Sequence, residues 1–464
     1  MHPTVDFDPE LISRMSQRGP RYTSYPTADR FSAGFSAIDF AAAAWGGVPG
    51  RPLSLYVHVP FCESLCYYCA CNKIITHDRS KAAKYLGYLV REIDMQASLF
   101  AACGPVEQLH FGGGTPTYLS DAQMGALMEF LRSRFAFADD DAGEYSIEID
   151  PRTVDAKRIH SLRAQGFNRL SLGVQDFDED VQRAVNRVQP EAMTGDAIAT
   201  AREAGFRSVS IDLIYGLPLQ NLATMSRTLD KVIDAAPDRI SVYNYAHMPQ
   251  MFKSQKLIRD EDLPDGAAKL AMLGLCIERL CAAGYVYIGM DHFARPDDEL
   301  ALAQRNGSLH RNFQGYSTHA AIDTVACGVS AISAVNGTYS QNEKSLEAYY
   351  ARLDEGVLPV ARGFRLSADD LARRDIIQQL MCNFELDFGA LEQRWGIDFG
   401  AGFAAELAQL AALGAEGLLE LRPDGLQVSR KGRLLIRNVC MVFDKYFGTP
   451  EAMPLQRLRY SRTI

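Results

Sequence analysis

The stretch FCESLCYYCACNK, residues 61–73, places Cys62, Cys66, Cys69 and Cys71 within ten residues. Thiols packed this closely in a long chain point to a metal or a redox role, since disulfide frameworks belong to small secreted domains. The first three are spaced C-x3-C-x2-C. A loop of that spacing can fold around a cubane so that each thiolate takes one corner iron and the fourth iron keeps no protein ligand. Such an open iron is available for chemistry. Zinc sites normally use two short ligand pairs a dozen or more residues apart, and no second pair follows here. Electron-transfer ferredoxin sites use four cysteines, with the last one remote or followed by proline. Both fit this spacing less well. The other six cysteines, at 103, 276, 281, 327, 382 and 440, are scattered among apolar neighbours and read as buried core thiols.

A second signal is LHFGGGTPT, from Leu109 to Thr117. Three glycines at a strand end permit positive φ and let the backbone approach a ligand closely, although a tight turn explains them equally well. No Gly-Lys-Ser/Thr follows, so this is not a phosphate loop. Polar side chains then recur near later strand ends: Glu148 in SIEIDPR, Gln175 in LGVQDF, Arg187 in VNRVQ and Asp212 in IDLIYGLP. Each alone fits a satisfied structural polar group, but ligands of parallel α/β folds sit at the carboxyl ends of strands, so these side chains are expected to converge on one mouth.

These residues need elements to position them. From residue 53, short runs rich in Val, Ile and Tyr alternate with helical patterns, which predicts parallel strands joined by crossover helices. Strands are expected at LSLYVHV, VEQLHF, YSIEID, RLSLGV, VSIDLIYG and RISVYNY, making six βα units. The fold class is therefore α/β, either a partial barrel or an open doubly wound sheet, with a seventh strand-like run from Tyr285. Ser120-Asp121 and Asp178 are expected to cap helices. Residues 356–367 read as a linker. Beyond it, helices and two strand-like runs around Asp424-Gly425 resemble a winged helix. Three regions are expected: residues 1–35, 36–355 and 356–464.

The 464 residues are 47% hydrophobic and 23% charged, an ordinary globular balance. With a net charge of -9, the chain offers no basic field for nucleic acid or an anionic membrane, so neither is an expected partner. No run of eighteen apolar residues is present and the N-terminus lacks the pattern of a signal peptide, so a cytoplasmic location is expected.

A C-x3-C-x2-C loop directly after the first strand resembles the radical S-adenosylmethionine superfamily, in which an aromatic residue is usual at the position of Tyr68. That resemblance implies a 4Fe-4S cluster on Cys62, Cys66 and Cys69. It also implies S-adenosylmethionine on the open iron, cleaved after one-electron reduction to a 5'-deoxyadenosyl radical. The likeness narrows further on GPRYTSYPTA (residues 19–28), YVHVPFCESLCYYCACNK, HFGGGTPTYL, GFNRLSLGVQDF, IDLIYGLP, MDHFARPDDELA, HRNFQGY and GRLLIRN. On these stretches the chain is similar, nearly end to end, to the oxygen-independent coproporphyrinogen III oxidase family.

That family resemblance implies a partial (β/α)6 barrel with an N-terminal lid segment and a mainly helical C-terminal domain, a monomer, and two bound S-adenosylmethionine molecules. The first molecule is expected at Tyr56, Gly113, Glu148 and Ile332, and the second at Tyr68, Gly114, Thr115, Gln175, Arg187, Asp212 and Ala246. Tyr56, Glu148 and Cys71 are the residues expected to serve catalysis. Arg21, Tyr22 and Tyr25 are expected to meet the substrate, Arg21 as a bidentate partner for a carboxylate. The implied reaction is anaerobic oxidative decarboxylation of two propionates of coproporphyrinogen III in heme biosynthesis. It requires a low-potential electron donor and an electron acceptor that the sequence does not name. Rival readings are a heme chaperone of the same superfamily and a radical methyltransferase. The chaperone reading is disfavoured by Cys71 and by the RYTSYPTA segment.

Overall fold

The structure, a computed structural model, describes residues 5–139, 141–320, 322–448 and 460. Two compact units are present, each discontinuous in sequence. The larger comprises the described residues of Phe31–Pro264 and Ala321–Arg365, and the smaller those of Met1–Arg30, Asp265–Ala320 and Leu366–Ile464.

The six expected strands are all in the larger unit: β1 (Leu53–Val59), β2 (Val106–Gly113), β3 (Glu144–Ile149), β4 (Arg169–Gln175), β5 (Ser208–Tyr215) and β6 (Arg239–Asn244). They run parallel in sequential order, each joined to the next by a helical crossover. Burial on both faces explains their nearly continuous apolar character, with every β1 residue buried except Tyr56. The two expected caps are present: Ser120 forms a capping box with Gln123, and the Asp178 carboxylate accepts the N–H groups of Asp180 and Val181.

Within the larger unit, four further described strands extend this sheet. β7 (Asp323–Cys327) lies parallel to β1 on its other side, and β8 (Ile332–Val335), β9 (Thr338–Asn342) and β10 (Val360–Arg365) continue antiparallel. The stretch read as a linker thus carries a strand. Its alternating VARGFR pairs with β9, and Gly363 admits the Phe35 ring and the Tyr339 carbonyl at distances that a Cβ would not allow. The end of the parallel strands opposite the cysteine loop is closed by polar pairs. Ser54 donates to Gln108 (2.9 Å), Gln108 donates to Glu144 (2.9 Å), and Arg169 pairs with Glu144 (3.5 Å).

In the smaller unit, the run from Tyr285 forms a hairpin of Val286–Gly289 and His292–Ala294. The two C-terminal runs pair around Asp424 as Leu419–Arg422 and Gly425–Val428, with Glu385–Asp387 as a third strand beside helices such as Ala368–Asn383 and Ile436–Val442. The N-terminal segment is built into this unit's core. Arg437 donates to the Gly19 and Pro20 carbonyls, Asn438 donates to the Met15 carbonyl (2.8 Å), and a Cβ on Gly19 would lie 2.4 Å from the Met441 sulfur. Among the described residues no helix is long and apolar enough to cross a membrane.

Candidate active site

The cysteine loop is stapled at its base. Phe61–Cys62 pairs with Ile74–Ile75, Ile74 N–H donates to the Pro60 carbonyl (2.7 Å) and Thr76 N–H to the Cys62 carbonyl (3.0 Å), so residues 63–73 form a closed excursion from the end of β1. The glycine run at the end of β2 locks onto the same stem. Gly114 N–H donates to the Val59 carbonyl and Thr115 N–H to that of Phe61, each at 2.8 Å. A Cβ on Gly114 would lie 2.8 Å from the Phe61 oxygen, and Gly113 has φ +115, so close backbone approach is what these glycines supply.

Cys62, Cys66 and Cys69 line a cavity of about 480 Å³ together with Cys71, Tyr68 and Lys73. Gly113, Gly114 and Thr115 line it too, with Glu148, Gln175 and Asp212 from β3, β4 and β5; Arg187 comes from the loop after the helix Glu179–Ala184 and not from near a strand end as expected. Twelve sequence-predicted residues therefore meet in one space of ligand size. Tyr56, Ala246 and Ile332 are not among the lining residues. Tyr56 stacks on His110 (5.8 Å between ring centres), Ile332 opens β8, and the Ala246 carbonyl accepts from Gln255, which also donates to the Tyr68 carbonyl (3.0 Å).

Arg21, Tyr22 and Tyr25 belong to the smaller unit. Arg21 pairs with Asp291, Tyr22 donates to Asp444 (3.0 Å), and the Tyr25 hydroxyl accepts the Lys445 N–H (3.3 Å). Both tyrosines are fully buried, so these hydroxyls anchor the segment internally.

The electrostatics suit a thiolate cluster. The Cys66 sulfur accepts from Arg152 Nη2 (3.6 Å) and Arg187 Nη1 (3.5 Å), and Thr115 Oγ1 donates to the Cys62 sulfur (3.3 Å). A hydrogen bond from Cys71 and the nearby Lys73 charge pull the Cys69 thiol down, while the same bond pushes Cys71 up. Burial pushes the Cys62 thiol up to about 11, a cost that a bound metal would reverse. Three cysteine thiols lining one cavity, with guanidinium and hydroxyl donors on their sulfurs, fit the ligand set of an iron–sulfur cluster.

Burial would raise the Glu148 pKa, but His110 Nε2 (3.1 Å) and the Gly113 N–H (3.4 Å) outweigh it and hold the carboxyl below its usual range. Glu148 is thus held as an anion at the cavity wall. Asp212 differs: burial pushes it up to about 6. Sequence reasoning did not single out His110, Asp150 or Arg152, although LHFGGG and SIEIDPR contain them. Their positions, within four residues of a glycine or carboxylate already suspected, were the available signal.

Residues 56–232 match the Radical SAM superfamily and residues 366–435 the HemN C-terminal domain. Relatives named oxygen-independent coproporphyrinogen III oxidase include one from Pseudomonas aeruginosa, 50% identical over 99% of both chains, and one from Escherichia coli K12, 52% identical over 99% of both. The solved structure of coproporphyrinogen III oxidase (HemN) from Escherichia coli, described as a radical SAM enzyme, superposes with a TM-score of 0.92 at 51% identity, covering 96% of this chain and 100% of that one. The thiol-lined cavity at the strand ends, the α/β architecture and this end-to-end likeness agree: the chain belongs to the oxygen-independent coproporphyrinogen III oxidase family of radical S-adenosylmethionine enzymes.

Proposed function

We propose that this chain decarboxylates two propionate side chains of coproporphyrinogen III oxidatively to vinyl groups, without oxygen, giving protoporphyrinogen IX for heme synthesis in the cytoplasm. The observation that carries this reading is the meeting of Cys62, Cys66 and Cys69 with Glu148 and the Gly113–Thr115 backbone in one cavity, in a chain about half identical to its named relatives throughout. When bound, a 4Fe-4S cluster on the three thiols and S-adenosylmethionine supply a hydrogen-abstracting carbon radical that no acid or base side chain can replace.

The chain's own residues hold and orient. Glu148, kept ionised by His110, accepts the methionyl ammonium beside the Gly113 backbone. Tyr56 supports that carboxylate by stacking on His110. Ile332 contributes an apolar contact to the same molecule. A second S-adenosylmethionine is assigned to Tyr68, Gly114, Thr115, Gln175, Arg187, Asp212 and Ala246, of which Arg187 supplies the cation for a carboxylate. Cys71 stays off the cluster, because a fourth thiolate would occupy the open iron, and serves the substrate side. Arg21 offers a guanidinium to a substrate propionate, with Tyr22 and Tyr25 anchoring its segment. Each propionate loses a hydrogen atom from its β-carbon and then CO2, and one electron passes to an external acceptor. A cluster held by Cys62, Cys66 and Cys69 would take its electron from a low-potential donor.

The test is anaerobic incubation of iron-reconstituted protein with coproporphyrinogen III, S-adenosylmethionine, a reductant and a cell extract as source of electron acceptor. Tetrapyrroles are then separated by chromatography. Protoporphyrinogen formed together with 5'-deoxyadenosine or methionine is the expected result. Intact coproporphyrinogen despite S-adenosylmethionine cleavage would move the reading to a chaperone, or to a methyltransferase if S-adenosylhomocysteine forms.

A further inference from the structure

Behind the Cys66 thiol, where the chain leaves β3, Asp150 and Arg152 form a unit that the reading above does not use. Asp150 shapes the turn by accepting the Arg152 backbone N–H (3.0 Å), and its carboxylate grips the Arg152 guanidinium through Nε (3.0 Å) and Nη2 (2.7 Å). Arg187 reaches the same carboxylate through Nη1 (3.0 Å). Both guanidiniums pass on to the Cys66 sulfur, at 3.6 Å from Arg152 and 3.5 Å from Arg187.

The other two thiols are treated differently. Cys62 receives a neutral hydroxyl from Thr115 (3.3 Å), and Cys69 has the Cys71 thiol and the single ammonium of Lys73, which also bonds its carbonyl (2.9 Å). The side chains of Arg152, Asp150 and Arg187 are 20%, 10% and 8% exposed, so solvent dilutes their charges little.

We infer that Asp150 and Arg152, acting with Arg187, set the reduction potential of the cluster held at Cys66: the two guanidiniums raise it and Asp150 limits the rise. The inference rests on the reading that Cys62, Cys66 and Cys69 carry the cluster. Reduction adds one electron, whose charge spreads onto the ligand sulfurs. Cationic N–H donors to a sulfur therefore stabilise the reduced form more than the oxidised one. Two guanidiniums and one carboxylate leave a net positive charge beside Cys66. Asp150 also fixes the direction of both forks, as a bidentate carboxylate does. Arg152 is thus a tuning residue, acting on the cluster through a ligand and not on substrate.

The test compares wild type, Arg152→Gln and Asp150→Asn after anaerobic reconstitution. Iron and sulfide are counted, and the cluster signal is then followed by EPR during a redox titration. Arg152→Gln is expected to lower the reduced-to-oxidised ratio at fixed potential about tenfold, ~59 mV for one electron, and Asp150→Asn to shift the midpoint the opposite way. Midpoints unchanged, or shifted in the same direction, in loaded variants would overturn the inference while leaving the cluster assignment intact. If Arg152→Gln alone loses its cluster, the sign of the Asp150→Asn shift decides. Loss of cluster from both variants would overturn tuning in favour of a folding role. A wild-type chain that assembles no cluster would overturn the underlying assignment instead.

Discussion

Cys66 and Cys71 lie five positions apart in one loop, yet the structure gives them different surroundings. Cys66 is buried beneath two guanidiniums, whereas Cys71 is exposed at the cavity wall and bonded to Cys69. Cys66→Ser should abolish iron binding, because removing one of three cluster ligands leaves an incomplete donor set. Cys71→Ser should retain iron and sulfide at wild-type levels and lower turnover. Iron and sulfide assays on both variants check this pair, and loss of the cluster from Cys71→Ser would contradict the three-ligand assignment. Tyr22 makes a residue-scale point of another kind. Its hydroxyl is spent on the buried Asp444, whose carboxyl burial pushes up to about 6. Tyr22→Phe should therefore destabilise the protein by ~1–3 kcal/mol, read by denaturant unfolding, because a buried acceptor loses its donor.

At the scale of elements, the site depends on how closely two strand ends approach. Gly114 at the end of β2 lies against the Pro60–Phe61 backbone at the end of β1, where backbone atoms cannot yield as a side chain can. Gly114→Ala should push these ends apart, misplace Cys62 and lower cluster occupancy. The cost to stability is expected to be ~1–3 kcal/mol, comparable to overpacking a well-filled core. Iron content and the thermal midpoint, measured on one preparation, would show both effects. The six βα units were legible because each strand is a short β-branched run bounded by caps and turns, and this pattern is local. The additional strands β7 to β10 were not: Asp323–Cys327 is five residues without alternation, and Val360–Arg365 sits in a stretch whose glycine and charges look like a linker until β9 is beside it.

At the scale of the molecule, one buried charge ties distant parts of the larger unit together. Glu92, in the helix Ser80–Leu99, accepts from Gly328 N–H (2.7 Å), Asn342 (2.6 Å) and Tyr349 (2.5 Å). Burial pushes its carboxyl up to about 7 despite these donors. The folded state then holds the Glu92 proton more tightly than the unfolded chain, where a glutamate titrates near ~4.3. Its contribution is therefore fully present below that value and is lost as pH rises to about 7, at ~1.4 kcal/mol per pH unit, and is flat above. Glu92→Gln should remove this slope, so the stability difference between variant and wild type should change across pH 5 to 7 and level off beyond. Denaturant midpoints at several pH values would check it, and parallel profiles would exclude a titrating Glu92.

The sequence by itself determined the chemistry and its local frame: three thiols at cluster spacing, a glycine run, polar residues at successive strand ends, and the alternation that makes strands and helices. Those are properties of neighbours along the chain. Only the tertiary structure decided which polar groups face the thiols, because the Asp150–Arg152–Arg187 cage joins residues up to 121 positions from Cys66. It alone also showed that Tyr22 and Tyr25 are anchors in a core, since burial is set by what packs on a residue and not by its own type.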